Sequence, residues 1–266
     1  MRIAMGVEYD GSGFHGWQRQ EAGIRSVQGC VEEAVSKVAD QRLTVHCAGR
    51  TDAGVHALEQ VIHLDTDARR PMRSWVLGSN VNLPMDVSVR WAREVPPAFH
   101  ARFAATGRHY RYEILNRTTR SSLQRNRAVW IHRPLDETRM QQAARSLVGT
   151  HDFSSYRALG CQAKSPVRTL HYLRVTRSGE SISIEAGANA FLHHMVRNIA
   201  GVLMAIGRGD RPVEWAQEIL ELRDRTRGGV TAPPQGLYLT RVDYPPEHGL
   251  SLGGDGDMWR SMQDTT

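Results

Sequence analysis

An α+β fold made of two similar split β-α-β halves is predicted by three observations. Strand-like alternation and helix-like spacing follow one another as strand, helix, strand, strand, helix, strand through residues 1–104. The same plan starts again at about residue 105. Gly-, Ser- and Pro-rich breaks fall between these runs rather than inside them. Such a pattern gives a mixed, largely antiparallel central sheet with helices on one face and a cleft between the halves.

The elements follow in order. Arg2 to Tyr9 alternates apolar and polar as a half-buried strand does, and Asp10-Gly11-Ser12-Gly13 breaks it. Ser26 is a helix N-cap residue, and Val27, Val31, Ala34, Val35 and Val38 recur at helical spacing through Val27 to Ala39. Leu43 to Ala48 and Val61 to Leu64 read as strands around a loop, Gly49 to His56. Trp75 to Val81 reads as a second helix and Val87 to Glu94 as a strand. In the second half, Arg108 to Leu115 alternates as a strand and Glu137 to Val148 is helical. Thr169 to Thr176 and Ser181 to Ala186 form a hairpin, and Leu192 to Ile206 is a long apolar helix. The expected units are 1–104, 105–244 and a weakly ordered tail, 245–266, with Trp259 as its one large docking residue.

At 266 residues, 40% hydrophobic and 23% charged, the chain is long enough to bury a core. No run approaches the roughly 18 to 20 apolar residues of a membrane span, and the N-terminus lacks a signal pattern, so a cytoplasmic protein is expected. Cys30, Cys47 and Cys161 are three in number, without a C-x-x-C pair, and read as small buried hydrophobes rather than disulfide or zinc ligands. Lys plus Arg total 34 against 28 acids, net +6, which favours a polyanionic partner. Only Lys37 and Lys164 are lysines, a bias that a GC-rich genome or RNA binding would each produce. Seven arginines (102, 108, 111, 117, 120, 125 and 127) fall within 26 residues opposed by Glu113 alone. They make either a solvated charged face or an RNA-facing one.

Gly11-Ser12-Gly13-Phe14-His15-Gly16 fits G-x-G-x-x-G after a strand, but no helix opens at its glycines to hold a pyrophosphate. A dinucleotide cofactor is therefore not expected, and no triphosphate-binding loop is present. His193 and His194 are adjacent, which on a helix points them about 100° apart, and no neighbouring acid or cysteine completes a set. No metal is expected, and the two read as helix-packing or RNA-facing residues.

Gly49-Arg50-Thr51-Asp52-Ala53-Gly54-Val55-His56-Ala57 places one carboxylate on a glycine-permitted loop after a strand, as a structural turn or as a side chain aimed into a cleft. Arg50, two residues away, is positioned to pair with it. Phe99 to Tyr112 interleaves cations with aromatics, which suits flipped or single-stranded nucleotides. In Asn189 to Gly201 an apolar helix carries Arg197, which needs an anion, either Asp52 or an RNA phosphate.

With these residues in view, the chain resembles the TruA family of tRNA pseudouridine synthases. The match runs in order through Tyr9-Asp10-Gly11, Gly16 to Gln20, Ser26-Val27-Gln28, Gly49 to Ala57, Phe99 to Arg102, Arg108 to Tyr112, His151-Asp152-Phe153, Asn189 to Gly201 and Gly236 to Leu239. The resemblance covers about Arg2 to Tyr244. It implies cofactor-free isomerisation of uridine to pseudouridine at positions 38, 39 and 40 of the tRNA anticodon stem-loop, on a flipped-out nucleotide, by a homodimer. It implies Asp52 as the catalytic carboxylate and Tyr110 as the residue stacked on the uracil. Arg50 and Arg197 would hold Asp52, and Gln18, Arg19 and Arg102 would line the RNA-binding cleft, with binding that weakens steeply in salt. Two other readings share the basic and aromatic features: a tRNA-binding or folding protein with no need of Asp52, and a glycosylase or nuclease using the same carboxylate.

Overall fold

The computed structural model describes residues 1–21 and 23–250. The first half runs β1 (Arg2–Tyr9), α1 (Val27–Ala39), β2 (His46–Cys47), β3 (His56–Asp65), α2 (Met72–Asn82) and β4 (Val87–Val95). The second runs β5 (Gly107–Asn116), β6 (Val129–Ile131), α3 (Glu137–Arg145), β7 (Gly149–Asp152), β8 (Val167–Ser178), β9 (Ser181–Ala188), α4 (Met195–Gly207), α5 (Trp215–Leu222) and β10 (Leu237–Asp243).

One sheet carries the order β4-β1-β3-β10-β5-β9-β8-β7, with β2 on β3 and β6 on β5. Each half places its first strand between its last two: β1 lies between β3 and β4, and β5 between β9 and β10. This is the repeated split β-α-β plan expected from the sequence. Pairing is antiparallel except for β5 with β6 and for the seam, where Tyr238 and Leu239 of β10 run parallel to His56 and Ala57 of β3. Across that seam, Ala57, Leu239, Tyr110 and Ala186 stand in one register row. Tyr110 is thereby set beside the strand that leaves the Gly49 to Val55 loop.

The α+β class and the elements read from the sequence are present, but β6, β7, α5 and the seam strand β10 are not among those read, and some bounds differ for local reasons. The Leu43 to Ala48 strand shrinks to His46–Cys47 because α1 satisfies its backbone: Leu43 donates to Ser36 Oγ and Val45 to the buried Glu32 carboxylate. The expected α4 start at Leu192 moves to Met195, because His194 sits in the left-handed region (φ 61°) and ends the preceding loop. The N-cap of α1 is as read, with Ser26 Oγ accepting from Gly29. The three cysteines are free and half-buried rather than buried. Of the segment 245–266, Pro246–His248 forms a 3-10 turn and Leu250 is buried, while Arg93 donates to the Gly249 carbonyl. Trp259 lies outside the described residues.

Each half has its own apolar core. Val7, Val31, Val35, Leu64 and Trp75 centre the first, and Met140, Ile182, Ile184, Ile199 and Leu203 the second. Tyr110 packs against both. Among the described residues no helix is long and apolar enough to cross a membrane.

One core histidine makes stability depend on pH. His63 is 1% exposed, and its Nδ1 accepts the Ala101 N–H. Burial first, then the nearby His100, Arg2 and His46, pushes its pKa down to about 4. The unfolded chain takes up the proton near pH 6.5 and the folded chain only near 4. This contribution to stability is therefore complete above about pH 6.5 and is lost as pH falls toward 4. Thermal melts between about pH 7.5 and 4.5 should show a steeper fall for the native chain than for His63→Gln, which has no proton to take up.

Candidate active site

The loop between β2 and β3 is fixed from the first half. Trp17, buried, donates its backbone N–H to the Thr51 carbonyl (3.0 Å), and Tyr9 shares a hydrogen bond with Thr51 Oγ1 (2.8 Å). Gly16, at φ 96°, lies so close that a Cβ there would come within 2.8 Å of the Thr51 carbonyl oxygen. A turn then closes with Val55 N–H on the Asp52 carbonyl, and Gly54 takes the positive φ (77°) that its place requires. The motif residues Tyr9, Gly16 and Trp17 thus act as the mount of the Asp52 loop.

The second half supplies what surrounds the carboxylate. Arg197 Nη1 donates to Asp52 Oδ2 at 3.1 Å, and its Nε donates to the Ala232 carbonyl at 2.8 Å. Ala232 N–H returns a bond to the Arg197 carbonyl, and Gly201 lets this segment approach, since a Cβ there would meet the Val230 carbonyl oxygen at 1.8 Å. His193 Nε2 lies 3.2 Å from Asp52 Oδ1, and His194 Nε2 lies 3.1 Å from Oδ2. Of the two, His193 Nε2 has hydrogen-bonding geometry to the carboxylate. Burial pushes the His194 pKa down, which the Asp52 charge partly offsets, and His193, Arg197 and Arg225 lower it further.

The pairing of Arg197 with Asp52 is the one read from the sequence. The pairing of Arg50 with Asp52 is not formed. Arg50 is exposed and, among the described residues, makes no ion pair, while Thr51 between them is buried on Tyr9. The histidines are a second correction: an acid does meet them, from 141 positions away in sequence. They precede α4 rather than lie on it, so the left-handed turn at His194 brings both rings, 3.9 Å apart at their centroids, onto one carboxylate. The set Asp52, His193 and His194 has ligand atoms within 4.8 Å of one another, with Arg197 already on the same carboxylate.

Tyr110 stands on β5 with its ring edge-on to Phe191 (5.2 Å, 87°). Burial drives its phenol well above the ordinary range, with the Asp52 charge adding to the shift and Arg108 opposing it. A neutral, apolar-backed ring, its hydroxyl 3.8 Å from where a Cβ on Gly49 would sit, three residues before Asp52, is a surface for a planar base. His56, by contrast, is structural: its Nδ1 accepts the Gly11 N–H and lies 3.2 Å from Asp10, and its Nε2 lies 2.8 Å from the Asn126 carbonyl.

Outside this centre, Gln18 and Arg19 are exposed on the loop that Trp17 anchors, and Arg19 pairs with Glu32 at 3.0 Å. Arg102 is exposed, with no acidic partner among the described residues. The arginine-rich run divides. Arg111, Arg117 and Arg127 pair with Glu113, Glu180 and Asp10, Arg108 is held by backbone carbonyls, and Arg120 and Arg125 are exposed.

The chain matches known proteins along most of its length. The family model described as tRNA pseudouridine synthase matches residues 5–104 and 143–245. The chain is 59% identical over 249 residues to tRNA pseudouridine synthase A of Pseudomonas aeruginosa, covering 94% of this chain and 87% of that one. It is 60% identical over 251 residues to the protein of that name in Methylococcus capsulatus (94% and 92% covered). With that in Alcanivorax borkumensis it shares 55% over 258 residues (97% of each). With matches across nearly its whole length and a carboxylate mounted between its two halves, the chain belongs to the tRNA pseudouridine synthase family.

Proposed function

We propose that this protein isomerises uridine to pseudouridine in tRNA, at positions 38, 39 and 40 of the anticodon stem-loop, with Asp52 as the catalytic carboxylate. The observation that supports the reading most is a single acid held by Arg197, His193 and His194 near the neutral ring of Tyr110. The reaction breaks the N1–C1′ bond, turns the uracil and joins C5 to C1′, releasing the C5 proton while N1 gains one. One carboxylate suffices: it attacks C1′ to form a sugar ester, or removes a proton from C2′ and later returns it. Arg197 and His193 both donate to the Asp52 carboxylate and His194 lies 3.1 Å from it, so the side chain is oriented, and one of these contacts must give way as the ribose arrives.

In this reading Tyr110 stacks on the uracil of a flipped nucleotide, at an unstacking cost of a few kcal/mol. Arg50, exposed and not committed to Asp52, meets phosphate, as do Arg19 and Arg102. No cofactor enters the chemistry. The protein acts in the cytoplasm as a homodimer. Residues 1–104 carry the catalytic loop, and residues 105–244 supply Tyr110 and Arg197.

The test is site mapping. Transcripts of one tRNA keeping uridine at only one of positions 38, 39 or 40 should each gain one pseudouridine, detected as a carbodiimide-dependent reverse-transcription stop. Modification confined to the T or D arm would refute the assignment of position.

A further inference from the structure

Between Glu94 and Glu113 the chain carries no acidic residue, and in that stretch it exposes one large ring: Phe103 is 76% exposed. Lone exposed apolar residues are ordinary. Phe103 is different in how it is held. Its ring rests on His100 (centroids 4.3 Å apart), which rests on the buried His63 (4.6 Å), so a row of three rings runs from the core to the surface. His100 Nδ1 accepts the backbone N–H groups of Arg102 (3.1 Å) and Phe103 (3.4 Å), which fixes the segment beneath the ring. The Arg102 guanidinium lies 5.6 Å from the Phe103 centroid.

The ledge also has a defined place. The Arg108 guanidinium donates to the carbonyls of Arg102 (2.7 Å), Asn189 (3.0 Å) and Ala48 (3.3 Å). Ala48 leads into the Gly49 to Asp52 loop, and Asn189 leads into Phe191, His193 and His194. One side chain therefore ties the ledge to both segments that build the catalytic centre.

We propose that Phe103, braced by His100 and flanked by Arg102, is a second RNA-contact site that stacks an unpaired nucleobase outside the catalytic pocket. This rests on the reading of tRNA as substrate. An unpaired nucleotide fits because its base offers a flat face to the ring and its phosphate is within the reach of a cation such as Arg102. A second copy of the chain would need to bring acids to the same place. The brace removes most of the ordering cost that an exposed ring would otherwise carry. Phe103 then sets affinity rather than rate, by holding a loop base away from its own stack while the target uridine is turned into the site.

The experiment compares the native chain, Phe103→Ala and Phe103→Trp, using an unmodified tRNA transcript. Binding is read directly, by filter retention and by tryptophan emission, so it does not depend on turnover. Phe103→Ala should weaken tRNA binding about ten-fold, the scale of one lost base stack, with single-turnover rate at saturating tRNA kept within about two-fold. Phe103→Trp should bind as the native chain does and gain an emission component that tRNA quenches. Native-like affinity in Phe103→Ala, or an added emission component in Phe103→Trp that tRNA leaves unquenched, would overturn the proposal. So would a fall in sedimentation coefficient for Phe103→Ala without RNA, which would assign the ring to a protein interface. Failure of the native chain to bind tRNA at all would refute the substrate reading instead.

Discussion

Asp52→Asn should lower the rate of pseudouridine formation by on the order of 10⁴-fold, the upper range for a lost acid-base group, while tRNA binding stays within about threefold. Asparagine keeps the shape of the side chain and accepts from Arg197 Nη1 through its one carbonyl oxygen. It has no charge with which to attack C1′ or to take a proton from C2′. Its effect is therefore confined to the chemical step, because Asp52 sits at the junction of the halves and not among the exposed arginines expected to meet phosphate. Asp52→Ala should go further on binding: with the acid gone, the Arg197 and histidine donors face the site unpaired and attract phosphate, so affinity should hold or rise. Single-turnover kinetics with a filter-binding titration separate the two effects. Equal losses in binding and rate would place Asp52 in RNA recognition rather than chemistry.

Arg197→Met should cost activity and stability together, about 100-fold in single-turnover rate and about 2 kcal/mol in unfolding free energy. The arginine bonds both Asp52 and the Ala232 carbonyl, which methionine leaves unpaired on that side. The pair is partly exposed, with side chains 13% and 28% accessible, so the stability cost falls short of the fully buried case. The loss in rate comes from an Asp52 held only by two imidazoles, free to turn away from the ribose. Arg197→Lys separates the two contributions: it restores a cation near Asp52 but has no fixed fork to reach Ala232 as well, so it should recover part of the rate and less of the stability. Denaturant titration and single-turnover assays of the two variants check this, and a methionine variant with native rate would show that Arg197 does not position the acid.

The fold was legible wherever one face of an element is buried and the other wet. Arg2–Tyr9 and Val27–Ala39 have the bounds that their periodicity gives. Periodicity failed where a neighbour supplied the hydrogen bonds: Leu43 to Val45 has strand-like residues, but Ser36 and Glu32 side chains on α1 take its amides. In the candidate site, Asp52 and Arg197 stood out because a loop acid and a core cation each need a reason to be there. His193 and His194 did not, because their role depends on a left-handed residue that only the packed structure reveals. Nothing in local sequence marks Leu192 to His194 as lying before the helix except Asn189, whose side chain accepts from Ala190 and Thr169 and turns the chain there. The Arg50 pairing failed for the converse reason: closeness in sequence says nothing of direction when a buried threonine lies between.

Release of tritium from tRNA labelled at uridine C5, with the mass of the RNA product followed in parallel, tests the central claim most directly. Isomerisation must expel the C5 hydrogen and lose no other atom. The native protein should release tritium in step with pseudouridine and leave the RNA intact and, apart from the isotope, unchanged in mass. Tight binding with no release across tRNAs bearing uridine at 38, 39 and 40 would contradict it, as would loss of a base or a cut strand.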